Sequence, residues 1–156
     1  MTEHTGTPAP VMSLPVVVGI DFSENAARAA KWAAREAADR GLALHLVYAM
    51  DLPVAWGELV KPAGYVAAHR LAGEMLLVKI GDTLLKSVRE DYPEVKASTY
   101  VMGGNVVPIL VGAALGARLV VVGAHRHLGL LSMGAGYVVQ GLLAHSPTPV
   151  AVVPVT

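Results

Sequence analysis

Short, valine-rich runs without polar alternation constrain this chain most. Pro15–Ile20 (PVVVGI), Arg118–Val122 (RLVVV) and Val150–Val155 (VAVVPV) are of this kind. Runs apolar on both faces belong to parallel sheets covered by helices above and below. Leu42–Met50 (LALHLVYAM) reads as a further strand, and Lys96–Met102 as a weaker one.

The stretches between these runs carry helix signals. Ser23 is placed to cap a helix through Arg40, with Glu24/Arg28 and Glu36/Arg40 four residues apart on a solvated face and Gly41 at its end. Asp51–Pro62 reads as a loop. Tyr65–Glu90 has Leu77, Ile80, Leu84 and Val88 at helical spacing, interrupted by Gly73 and Gly81. Asn105 is placed to cap a helix over Val106–Leu115, where Pro108 sits in a tolerant first turn. A glycine- and histidine-rich segment, AHRHLGLLSMGAG, leads to a helix over Tyr137–His145 that Pro147 and Pro149 stop. The order β-α-β-α-β-α-β-α-β predicts an α/β fold, a single doubly wound five-stranded parallel sheet with helices on both faces. Residues 14–156 form the expected domain, and residues 1–13 a mobile tail.

Composition removes several function classes. Twelve Lys+Arg balance twelve Asp+Glu in 156 residues, so no overall basic field is available for nucleic acid. No cysteine is present to serve as nucleophile, disulfide or zinc thiolate. The longest apolar stretches fall well short of the ~18 residues of a membrane span, and the N-terminus lacks a secretory pattern, which together point to the cytoplasm. The histidines are scattered apart from His125 and His127, which have no carboxylate nearby, so no metal site is expected. Neither a G-x-S-x-G elbow nor a G-x-x-x-x-G-K-[ST] phosphate loop occurs, which disfavours an enzyme.

In doubly wound sheets a ligand sits beyond the C-terminal strand ends, where the strand order reverses. If the order is 3-2-1-4-5, that point lies between Asp21-Phe22-Ser23 after strand one and Gly123–Gly136 after strand four. A glycine loop and a helix N-terminus there can hold phosphate on backbone N–H groups, while Asp21 can read a base or ribose or simply favour the helix dipole. His125, Arg126 and His127 form a basic cluster suited to an anion.

Three segments, VVVGIDFSENAARAAKWA, RLVVVGAHR and GYVVQGLLAHSPTPVAVV, resemble the universal stress protein family in this order and over roughly Leu14–Val155. The resemblance implies the sheet order 3-2-1-4-5, a homodimer through the last strand (here Val150–Val155) and, in one branch of the family, ATP at the strand-four loop. That branch carries Gly, two residues, Gly, nine residues, then Gly followed by Ser or Thr. Gly123 and Gly136 keep the outer glycines and their spacing, while Arg126 replaces the middle glycine and Tyr137 the hydroxyl residue. Arg126 either obstructs the phosphates or binds them through its guanidinium. Tyr137 puts a ring where a small hydroxyl would stand.

The expected function is a noncatalytic stress-response protein with an altered adenine-nucleotide pocket for ATP or cyclic AMP. Asp21, Ala49, Gly123, His125, Arg126, Gly136, Tyr137 and Val138 would line it, Ala49 at a position that the resemblance assigns to the adenine. The alternative is a nucleotide-free dimeric interaction module with the pocket closed by Arg126 and Tyr137.

Overall fold

A computed structural model describes residues 13–50, 64–124 and 133–155, with side chains from residue 136 onward in the last stretch. The five strands are β1 (Val16–Ile20), β2 (Leu44–Met50), β3 (Ala97–Gly103), β4 (Leu119–Gly123) and β5 (Val150–Val153). They form one parallel sheet in the order β3-β2-β1-β4-β5, as the alternating pattern and the resemblance predict. β1 pairs with both β2 and β4, so the reversal falls beside its C-terminal end. The strands stop within two residues of the expected limits, β5 ending just before Pro154, which cannot donate to a ladder.

Two packed layers follow from the strand pleat. Val16, Val18, Leu44, Leu46 and Val121 point to one face, against α1 (Glu24–Arg40). That helix buries Ala26, Ala29, Ala30, Ala33, Ala34 and Ala37, a stripe of methyl groups that lets its backbone lie close to the sheet. Its ends behave as the sequence requires. Ser23 Oγ accepts from the Ala26 N–H at 3.2 Å, and Gly41 takes the left-handed conformation at φ 65° that ends the helix. Val17, Val47, Val120 and Val122 point to the other face, against Leu110 and Ala114 of α4 (Val106–Ala114) and Leu142 of α5 (Met133–His145). Each fully buried Val or Leu contributes about 1.5–3 kcal/mol of transfer free energy.

Three expectations change. The helix predicted over Tyr65–Glu90 is α2 (Tyr65–Ile80), a π-turn at Gly81–Leu85 and α3 (Lys86–Asp91). The departure begins at Gly81, where the conformational freedom of glycine weakens the α-helix. The last helix starts at Met133, four residues before the expected Tyr137, because Gly134 and Gly136 are helical rather than part of the loop. Asn105 occupies the cap position of α4, but its side chain makes no capping hydrogen bond. The expected tail over residues 1–12, the loop at 51–62 and the His125–His127 cluster lie outside the described residues.

Helices α4 and α5 approach closely at Gly141, where an added Cβ would stand 2.7 Å from Val107 Cγ1 and 2.9 Å from its Cγ2. Gly112 of α4 has nothing within 4 Å of that position. Both glycines gain similar helix propensity on replacement by alanine, so the difference between the variants isolates packing. Gly141→Ala is expected to be less stable than Gly112→Ala by about 1–3 kcal/mol in denaturant unfolding, and equal midpoints would show that Val107 yields freely.

His45 of β2 packs against Tyr100 of β3 with centroids 4.9 Å apart and the rings tilted by 58°, and burial lowers its pKa below the ordinary 6.5. The fold therefore favours the neutral ring. Its contribution is complete above the unfolded-state pKa and is lost as pH falls toward the folded-state one. Between about pH 7.5 and 5 the wild-type melting temperature should fall further than that of His45→Phe, which keeps the ring contact without the titration. Parallel falls in the two proteins would remove His45 as the cause.

Candidate functional site

A pocket of about 260 Å³ opens at the C-terminal edge of the sheet, at the reversal point beside β1. Its floor is Gly19, Ile20 and Asp21 from β1 and the turn after it, Tyr48 and Ala49 from β2, and Val122 and Gly123 from β4. Ala26 of α1, Val106 and Leu110 of α4 and Val138 of α5 form the walls. Such a volume lies just below the usual range of ligand pockets, about 300–1,000 Å³.

Two glycines make the space. Gly19 interrupts a run of valines, and a Cβ there would sit 2.8 Å from Leu110 Cδ1 and 3.3 Å from Val122 Cγ1. Its hydrogen lets Leu110 settle over the strand end. Gly123 faces the first turn of α1, where a Cβ would stand 2.7 Å from the Asn25 carbonyl oxygen. The helix that carries the capping Ser23 can thus sit directly beside the end of β4.

The turn after β1 is fixed locally. Asp21 Oδ1 accepts from the Ser23 N–H at 2.8 Å, and Ser23 in turn caps α1. An exposed carboxylate on such a turn, next to apolar walls, can accept hydrogen bonds from ligand hydroxyl or amino groups. Among the described residues no group of three or more His, Asp and Glu side chains could hold a metal ion.

Of the eight residues expected at the site, Asp21, Ala49, Gly123 and Val138 lie together on the pocket. Gly136 and Tyr137 belong to α5 but are not among its lining residues, and Tyr137 is 56% exposed. His125 and Arg126 lie outside the described residues. The sequence reading missed Gly19, Ile20, Ala26, Tyr48, Val106, Leu110 and Val122. A glycine inside a strand run is a legible sign of close approach, so Gly19 could have been found. Val106 and Leu110, four apart on α4, carry no local signal beyond that of core residues.

The sequence model of the universal stress protein family matches residues 12–154. Universal stress protein Rv2623 of Mycobacterium tuberculosis (strain ATCC 25618 / H37Rv) is 36% identical over 150 residues, a match that takes in 90% of this chain and 48% of that protein. The chain spans about half the length of the curated relatives it matches. Among solved structures, a universal stress protein in complex with cAMP has a TM-score of 0.59 at 23% identity, covering 90% of this chain and 97% of that one. The universal stress protein from Archaeoglobus fulgidus in complex with dAMP has a TM-score of 0.57 at 19% identity, covering 89% and 96%. At these identities the structural likeness shows the fold alone.

The contact of Gly123 with α1 gives a direct test. The opposing atom is a main-chain oxygen, which cannot rotate away. Gly123→Ala should therefore lose about 1–3 kcal/mol of unfolding free energy, whereas Gly116→Ala, with open space around the new methyl, should lose no packing energy. An unchanged midpoint for Gly123→Ala would show that α1 has room to withdraw.

Proposed function

The chain belongs to the universal stress protein family, and from that premise we propose that it is a noncatalytic stress-response protein whose pocket binds an adenine nucleotide. The observation that carries the reading is the pocket itself. It stands at the reversal point and brings together Asp21, Ala49, Gly123 and Val138. On this reading Val106, Leu110, Val122 and Val138 pack against the planar base, and Asp21 accepts from the ribose or the base. The phosphate lies toward the segment between Gly123 and α5, whose sequence carries His125 and Arg126, and toward Gly136 and Tyr137 near the start of α5.

Two structures of like fold are complexes with adenine mononucleotides, cAMP in one and dAMP in the other, which supports this ligand class. A cyclic nucleotide carries one phosphate and draws least on the altered glycine motif, whereas ATP needs the whole of it. The absence of a recognisable nucleophile or metal motif in the sequence supports binding without chemistry. No helix among the described residues is long and apolar enough to cross a membrane, which agrees with a cytoplasmic site of action.

The reading includes a homodimer. β5 is an edge strand with its outer backbone unpaired within the sheet, and Val152 on it is 37% exposed. Pairing with the same strand of a second copy would cover both.

A nucleotide-free interaction module is the competing reading, and it requires Arg126 and Tyr137 to close the site. The exposure of the Tyr137 side chain favours the open pocket. Calorimetric titration of the full chain with ATP, ADP, AMP and cyclic AMP separates the two. Binding in the micromolar range, about −8 kcal/mol, is expected for at least one of them. Silence in the wild type with ATP binding in Arg126→Gly/Tyr137→Ser would make these side chains the closure. Silence in both proteins would leave the interaction module.

A further inference from the structure

Phe22 is held between residues from two other elements. Its ring is tilted 43° to that of Tyr48 with centroids 5.4 Å apart, and Lys79 Nζ stands 4.0 Å from its centroid. Neither Phe22 nor Lys79 lines the pocket, yet Phe22 is one step from residues that do, and Lys79 reaches them only through Phe22. Phe22 follows Asp21 in the chain and packs on Tyr48, and both of these are lining residues. Phe22 is also the central residue of the turn that the Asp21 Oδ1 to Ser23 N–H hydrogen bond closes. Burial alone does not hold the ring, because 40% of Phe22 remains exposed.

Lys79 is well placed to hold it. It precedes Ile80, the one buried residue of α2, so its backbone lies where that helix is set into the core. Its carbonyl oxygen accepts from Thr83 Oγ1 at 2.7 Å, across the start of the π-turn. An ammonium over the face of an aromatic ring is an electrostatic contact that persists in partly exposed places.

We propose that Lys79 and Phe22 are positioning residues of the nucleotide pocket: Lys79, fixed on α2, presses Phe22 onto Tyr48 and thereby sets the turn that presents Asp21. The inference rests on the nucleotide reading above. It makes the affinity of the pocket depend on a residue of a helix that contributes nothing to its lining.

The test is a double-mutant cycle on the full chain with Lys79→Gln, Phe22→Leu, their combination and Lys79→Arg. In ligand-free protein, hydrogen exchange at the Ser23 and Ala26 amides, the donors to Asp21 Oδ1 and Ser23 Oγ, should be about 2–5-fold faster in Lys79→Gln. Lys79→Arg should match the wild type, since guanidinium also stacks on rings. The Kd for cyclic AMP, or for whichever nucleotide the wild type binds, should weaken about 2–5-fold in Lys79→Gln and recover in Lys79→Arg. Adding Lys79→Gln to Phe22→Leu should change neither readout further. A direct pull of the Lys79 charge on the phosphate would instead survive in the Phe22→Leu background, and that outcome overturns the proposal. Unchanged exchange and unchanged Kd in Lys79→Gln, with the wild type binding, overturn it while leaving the pocket reading intact. A wild type silent toward every nucleotide overturns both.

Discussion

How closely α1 lies on the sheet decides the geometry of the C-terminal edge. Six alanines at positions 26, 29, 30, 33, 34 and 37 leave only methyl groups between the helix and the valines of β1 and β4. A larger side chain at any of them would lift the helix, at a cost of about 1–3 kcal/mol for each overpacked site. Gly123 extends the same economy to the end of β4, where only a hydrogen fits against the Asn25 carbonyl. The first turn of α1, its cap Ser23 and the Asp21 turn are therefore placed by the packing of the helix body.

The opposite face solves a different problem. There α4 and α5 cover the sheet and pack on each other. Gly141 draws the two helices together at Val107, and Gly19 lets Leu110 reach down to the strand. The pocket is the space left above these contacts, between Val106, Leu110 and Val138. Its polar features come from the strand ends and the turn after β1, and its apolar walls come from the core.

Much of this was legible from local patterns. The valine runs, the Ser23 and Gly41 caps and the alternation of elements follow from short-range chemistry, and the strand order follows from the family resemblance. Boundaries failed where glycine has two meanings. Gly134 and Gly136 read as loop but lie within α5, because packing against α4 offsets their low helix propensity. Gly81 read as a weak point in one long helix, and there the chain does leave the α-helix for a π-turn. Four of the eleven lining residues were legible, Asp21 and Gly123 because they stand at the ends of strands one and four. Tyr48, Val106 and Leu110 were not, since only the crossover topology carries them to one place, and as core residues they advertise nothing.

The departures from the glycine motif fall unevenly on this architecture. Gly123, the position that must be glycine to admit α1, is kept. Tyr137 is exposed on α5 and is not among the lining residues, although its neighbour Val138 is. A bulky residue is tolerated there because nothing in the core opposes it, whereas at position 123 the Asn25 carbonyl forbids even a methyl group. The motif therefore mixes two kinds of constraint. One glycine serves the fold through its contact with α1, while on the proposed reading the middle and final positions answer to the phosphates. On the proposed reading, the base and ribose end of the site is fixed by the packing of α1, α4 and the sheet, and the phosphate end is free to vary. Changes confined to the second kind of position alter which nucleotide is preferred before they abolish the pocket.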